Sequence, residues 1–329
     1  MENNKKIFFE TLFSFNNIEN NLIYLDIYYI NDYHINPVEF EKINNFKELK
    51  YLYLHCFNFD DNFLIKLNTL KILSIEKFNN IKISNITSGN LEDLNLSDNY
   101  IFDIKILEDI NFKELKKLNL SYNHISDIKN LKFEKLEILN LEMNEIDINN
   151  FEKVNFKRLK QLDLSFNGIS DIKKLAKANL EKLEELYLNN NEISNVSVLG
   201  KVKFKELKIL KLGANKIKDI KILENTKFEK LEKLDLNNNK ISDISVLGKV
   251  HFKKLKILKL VGNKIKDIKV LENANFEKLE KLYLNENKIT NIKVFEKVNF
   301  KQLKVLDISS NEILDINILK KLKFEKIIL

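Results

Sequence analysis

The feature that most constrains this chain is a phrase, L-x-x-L-x-L-x-x-N-x-I, that recurs along most of its length. Ten complete copies begin at Leu91, Leu115, Leu136, Leu159, Leu183, Leu207, Leu231, Leu255, Leu279 and Leu303. Their asparagines, Asn99 to Asn311, are spaced 24, 21 and 23 residues apart and then 24 six times in succession. Ile308 is the one replacement among the leucines. Three looser copies come first, Leu22-Leu25-Ile27, Leu49-Leu52-Leu54 and Leu70-Leu73-Ile75, with Ile30, Phe57 and Phe78 in the asparagine slot. A unit this short cannot bury its apolar side chains alone and must stack on copies of itself. The 329 residues therefore do not imply two closed globular cores. The pattern predicts a capping segment over 1–21 and a run of about thirteen repeats over 22–329, the first three degenerate.

Within the phrase, x-L-x-L-x alternates with period two, which predicts a strand with its leucines on one face. After the asparagine, I-x-x-I-x-x-L advances by threes, as in Ile125-Ile128-Leu131, and this predicts short 3₁₀ or helical turns. Asp103, Asp127, Asp171, Asp219, Asp243, Asp267 and Asp315 stand just before the second isoleucine, where a carboxylate caps free N–H groups. A metal-binding ladder is the rival reading, but Asn195 and Asn291 share the column and suit capping better. A phenylalanine three residues before nearly every leading leucine (Phe46, then Phe112 through to Phe324, with Leu180 as an exception) predicts a buried aromatic spine. Residues 181–228 and 229–276 are also alike at roughly three-quarters of positions, so the chain carries a two-repeat period of 48. At the N-terminus, the spacing of Phe8, Phe9, Leu12 and Phe13 suits one face of a capping helix.

These residues resemble the leucine-rich-repeat family over roughly residues 22 to 329, and within it the short-repeat class of SDS22-like phosphatase regulators and bacterial internalins. The resemblance implies an α/β solenoid: a leucine-rich-repeat horseshoe with a concave parallel sheet, and convex 3₁₀ or short helical turns. It implies that each asparagine bonds backbone groups of neighbouring turns, so that Asn215 is structural. A surface asparagine such as Asn190 should tolerate alanine. The implied function is a non-catalytic scaffold that binds a protein partner on its concave face. The rivals are a phosphatase regulatory subunit and a host-facing adhesin or effector.

No sequence motif of catalysis is present, neither G-x-S-x-G, nor H-E-x-x-H, nor a phosphate-cradling glycine loop. No enzyme activity and no cofactor are expected. The net charge of +7 comes from 55 basic and 48 acidic residues that are interspersed, which argues against a nucleic-acid groove. The single cysteine, Cys56, cannot form an internal disulfide, and the four histidines lack metal-ligand spacing. No uncharged apolar window is long enough to span a bilayer and no secretory signal is read at the N-terminus, so a cytoplasmic protein is expected.

The informative positions are the third, fifth, seventh and eighth of the phrase, predicted to point away from the leucines. The eighth column holds Tyr122, Met143 and Phe166 in consecutive repeats, where the other copies carry small or polar residues. An exposed apolar stripe of this kind is what a binding hot spot looks like, and the alternative is that the three pack against one another or against the loop. Tyr187 and Tyr283 in the fifth column are second-rank contacts, and Lys211, Asp235 and Lys259 between them predict a cross-strand ion ladder, with an acid-recognising patch as the alternative reading.

Overall fold

The structure is a computed structural model and describes residues 4–9, 22–29, 41–55, 65–78, 86–107, 112–154, 156–321 and 325–329. The chain divides into two compact units, Met1–Leu159 and Lys160–Leu329. Each is a stack of short parallel strands joined by turns and 3₁₀ segments.

In the first unit the strands Asn4–Phe9, Tyr24–Tyr29, Tyr51–His55, Ile72–Glu76, Asp93–Asn95, Lys117–Asn119 and Ile138–Asn140 lie side by side in that order. Two further short strands, Ile65–Lys66 and Ile86–Thr87, pair in parallel as a separate ladder. In the second unit eight strands follow one another, from Gln161–Asp163 to Lys326–Ile328. The pairing is parallel and in step with the repeat: Leu186 faces Leu210, Leu210 faces Leu234, and Leu234 faces Leu258. Among the described residues the thirteen expected strands are present in parallel pairing, with one more before the first and one after the last.

The extra strand at the start corrects the expected helix. Asn4–Phe9 pairs in parallel with Tyr24–Tyr29, so Phe8 and Phe9 lie on a strand, while Leu12 and Phe13 fall outside the described residues. Four apolar residues in a short window fit either element, and an adjacent strand with an unpaired edge decides between them. At the other end Lys326–Ile328 pairs with Val305–Asp307.

The leucines of the phrase are buried in every repeat, as are the isoleucines after most of the asparagines. Removing one such side chain from water is worth about 1.5–3 kcal/mol. The aromatic spine forms as expected: Phe46, Phe228, Phe252 and Phe276 are among the most deeply buried side chains, and the Phe276 and Phe300 rings lie 6.0 Å apart. Leu180 fills the same slot. Phe324 lies outside the described residues.

The asparagines do what the turn requires. Asn123 Nδ2 donates to the carbonyls of Leu96, Leu120 and Ser121, while its Oδ1 accepts from the N–H groups of Asn99 and Ile101. One amide thus satisfies buried groups of its own turn and of the preceding repeat, which would otherwise be stranded away from water. The aspartate column caps: Asp103, immediately before its 3₁₀ segment, accepts from the N–H of the segment's second residue, while Asp171, Asp219 and Asp267, one position earlier than an N-cap, each accept from the N–H of the first. Asn195 and Asn291 do the same.

A charge alternation accompanies the two-repeat period. The second position of the phrase reads Glu184, Lys208, Glu232, Lys256, Glu280, Lys304. Lys208 pairs with Glu184, Lys256 with Glu232 at 2.7 Å and Lys304 with Glu280 at 3.6 Å.

Candidate partner-binding face

Strand alternation leaves the third, fifth and seventh positions on the side of each strand away from the leucines. In the first unit these positions bring together residues that sequence reading left apart. His55 stands 3.6 Å from Asp26 Oδ1 through Nε2 and 3.3 Å from Glu76 Oε2 through Nδ1. Ser74 Oγ donates to Glu76 Oε1 at 3.0 Å, and Asn95 Nδ2 donates to both Ser74 Oγ and Glu76 Oε1. Tyr24 lies beside the network, its ring 6.4 Å from that of Tyr51 and 5.3 Å from that of Tyr53. The result is a polar chain across four strands with three tyrosines at one end. Cys56, next to His55, lies outside the described residues.

The hydrogen bond from His55 is the main reason that the Glu76 carboxyl lies below its ordinary value, helped by Ser74 and Asn95 and opposed by burial. A carboxylate depressed in the folded state adds stability above its unfolded value and loses it as pH falls through the folded one. Glu76→Gln is therefore expected to flatten the fall in thermal midpoint as pH drops below about 4.5, the ordinary value of the group. Superimposable wild-type and variant pH profiles would remove Glu76 from the acid response.

The eighth position differs from what alternation predicts. It lies beyond the strand, in the turn, with left-handed backbone. Asp98, Tyr122, Met143, Phe166, Asn190, Ala214, Asn238, Glu286 and Ser310 have φ between 52° and 58°, and Gly262 has 62°. A Cβ on Gly262 would come within 2.2 Å of Asn238 Oδ1. Left-handed backbone disfavours side chains other than glycine, asparagine and aspartate, by about 1–2 kcal/mol per residue. Tyr122, Met143 and Phe166 are bulky, occupy this conformation, and are 53%, 39% and 43% exposed. Tyr122 and Met143 belong to neighbouring repeats of the first unit and Phe166 belongs to the second.

Beside Tyr122 the first unit exposes a further group that sequence reading missed. Tyr100 and Phe102 are exposed, and Phe102 stacks on His124 with ring centres 4.8 Å apart. They occupy the first and third positions after the asparagine, where most repeats carry charged or polar residues. The signal was the same departure from the repeat, two and four columns along.

In the second unit Tyr187 and Tyr283 sit half-buried in the fifth column. Lys211 Nζ lies 4.2 Å from the centre of the Tyr187 ring, and Lys259 Nζ lies 5.5 Å from that of Tyr283. Tyr187 also donates its hydroxyl to Glu185, and burial is the first cause pushing its phenol well above the ordinary value. The predicted ion ladder is half correct. Lys259 is 3.9 Å from Asp235, whereas Lys211 turns to the tyrosine. An aromatic face holds an ammonium at comparable energy and without a second desolvated charge.

Among the described residues no cluster of side chains fits a metal ion, and no helix is long and apolar enough to cross a membrane.

The family model described as Leucine Rich repeats (2 copies) matches residues 113–153, 157–201, 181–225, 205–249, 229–273 and 277–321. No curated protein sequence matches. Among solved structures, a leucine-rich-repeat protein of Leptospira interrogans is similar with a TM-score of 0.66 and 23% identity, over 92% of this chain and 81% of that one. The internalin inlF of Listeria monocytogenes gives 0.62 and 23%, over 99% and 86%. TLR13 in complex with ssRNA13 gives 0.64 and 22%, over 89% and 47%. At these identities the likeness is one of fold.

Proposed function

The chain belongs to the leucine-rich-repeat family, and from that premise we propose that it is a non-catalytic scaffold binding a protein partner through the strand face and its adjoining turns. Tyr122 and Met143 in the first unit, and Phe166 in the second, are the leading contacts, with Tyr187 and Tyr283 of the second unit as secondary ones. The observation that carries the reading is the eighth column. The backbone there is left-handed, ten repeats use it, and three of them place large apolar side chains in water against its preference. Packing does not account for their size, because Asn190, Ala214, Asn238 and Gly262 serve the same turn. A rigid array of strands also offers such side chains at low ordering cost, so binding energy is retained as affinity.

The test compares affinity capture from a lysate by the wild type and by Phe166→Ala, followed by titration of whatever is captured. The alanine variant is expected to bind at least about 1 kcal/mol more weakly with an unchanged thermal midpoint. Phe166→Gly is expected to lose binding equally while melting at the same temperature or slightly higher, because glycine suits the left-handed backbone. Normal binding with early unfolding in the alanine variant would make Phe166 a packing residue and sink the assignment.

A further inference from the structure

The strand face of the second unit has a chemistry of its own. In the fifth column Lys211, Asp235 and Lys259 stand in register, with Tyr187 on one side and Tyr283 on the other. The third position of the middle strand adds Lys233 on the same side. Strands are about 4.8 Å apart, so the three lysines rise from adjacent strands that together span about 10 Å.

Two carboxylates stand on this side from the Tyr187 strand to the Tyr283 strand, and both already have partners: Glu185, at the third position of the Tyr187 strand, accepts the Tyr187 hydroxyl, and Asp235 lies within the patch itself. Asp235 Oδ1 accepts the Asn237 N–H at 3.1 Å, and Oδ2 is at ion-pair distance from Lys259. Lys211 lies over the Tyr187 ring, and neither it nor Lys233 is in an ion pair. Burial, and then the like charges of Lys211 and Lys259, push the Lys233 ammonium below its ordinary value. The second-position lysines of the same unit behave differently, for Lys208, Lys256 and Lys304 each meet a glutamate of the preceding repeat. Lysines are thus neutralised on one column, while on the adjacent face the third and fifth positions of the strands from Glu185–Tyr187 to Lys281–Tyr283 carry Lys211, Lys233, Lys259 and Lys281 against Glu185 and Asp235. An anion laid there would restore the missing charge and relieve the crowding at Lys233.

We propose that this patch docks an extended acidic peptide segment of the partner, its carboxylates on Lys211, Lys233 and Lys259 and its side chains against Tyr187 and Tyr283. The proposal rests on the scaffold reading and adds the partner's chemistry to it. A peptide fits better than a nucleic acid for two reasons. The chain has one arginine, Arg158, among its 55 basic residues, so the fork-shaped donor favoured for phosphates is nearly absent. Asp235 also interrupts the lysines at the centre, where evenly spaced phosphates would meet it, whereas acidic side chains can straddle it.

The test uses the full chain and a fluorescently labelled octapeptide of alternating Asp and Glu, titrated by anisotropy at physiological salt. The triple variant Lys211→Gln, Lys233→Gln, Lys259→Gln is compared with Lys218→Gln, Lys240→Gln, Lys266→Gln, which removes the same charge from exposed turn positions of the same unit. The first is expected to weaken binding at least about tenfold and the second less than about twofold. If the first triple does not fold, the single variant Lys233→Gln decides, with an expected loss of about threefold. Equal weakening by both triples, or no binding by the wild type, overturns the proposal. Tighter binding of an oligouridylate through the same lysines overturns the choice of peptide. None of these outcomes bears on capture through Phe166, which tests the scaffold reading separately.

Discussion

Phe252→Ala is expected to lower the unfolding free energy by about 3–5 kcal/mol, the usual cost of emptying a large aromatic site in a well-packed core. Phe252 is 1% exposed and belongs to the spine that runs behind the strands. A solenoid repeat touches only its neighbours, so the loss is local in origin. Hydrogen exchange should therefore quicken first in the repeats on either side of Phe252, and denaturant melts should broaden as cooperativity between repeats falls. Leu180 shows that the slot accepts leucine, so Phe252→Leu should cost roughly 1.5 kcal/mol or less. Equal losses from the alanine and leucine variants would mean that the ring's volume is not what the spine uses.

Asn215→Ala has the next largest expected effect. Its Nδ2 donates to the carbonyls of Leu188 at 2.8 Å, Leu212 at 3.1 Å and Gly213 at 3.1 Å, and its Oδ1 accepts the Ile193 N–H at 2.9 Å. Alanine removes all four bonds and leaves buried backbone groups of two repeats without partners, at a cost of about 1–3 kcal/mol. The control must be chosen with the backbone in mind. Asn190 looks like an indifferent surface residue in the sequence, but its φ is 53°, so alanine there is expected to cost about 1 kcal/mol through conformation alone. Asn190→Gly is the neutral comparison. Chemical denaturation of the three variants checks the order, and an Asn215→Ala loss no greater than that of Asn190→Ala would contradict the bonding role.

What was legible in the sequence was whatever the repeat states ten times. Leucine, asparagine, aspartate and phenylalanine columns each report one requirement of the turn or the core, and repetition separates that requirement from chance. The left-handed eighth column was also legible in principle: Gly262, Asn190, Asn238 and Asp98 are the residues that such backbone favours. The bulky Tyr122, Met143 and Phe166 obscured it. The His55 network was not legible. Asp26, His55, Ser74, Glu76 and Asn95 sit in the first degenerate repeats and their immediate neighbour, whose leading leucines are 27, 21 and 21 residues apart, so only the observed strand register brings them onto one line. The strand at Asn4–Phe9 was missed for a different reason. A short apolar run outside the repeat carries no internal copy to arbitrate between helix and strand.

The two-repeat alternation bears on how such a chain can be inherited. In the second unit, a lysine repeat takes its seventh-position bond from the repeat before it: Asn189 Oδ1 accepts from Gly213, and Asn237 Oδ1 accepts from Val261. An aspartate repeat supplies the bond itself, as Asp235 does for Asn237 and Asp307 for Ser309. Glu184–Lys208 and Glu232–Lys256 alternate in the same rhythm. Insertion of one lysine repeat after another would seat glycine or valine where an acceptor is needed, and set lysine beside lysine in the second column. Insertion of a couplet would reproduce every junction already present. Slippage of the gene by 48 residues is therefore nearly silent in stability, whereas slippage by 24 is not. The array is expected to lengthen and shorten across generations by couplets, its working copy number moving in twos while each new pair arrives with its joints already matched.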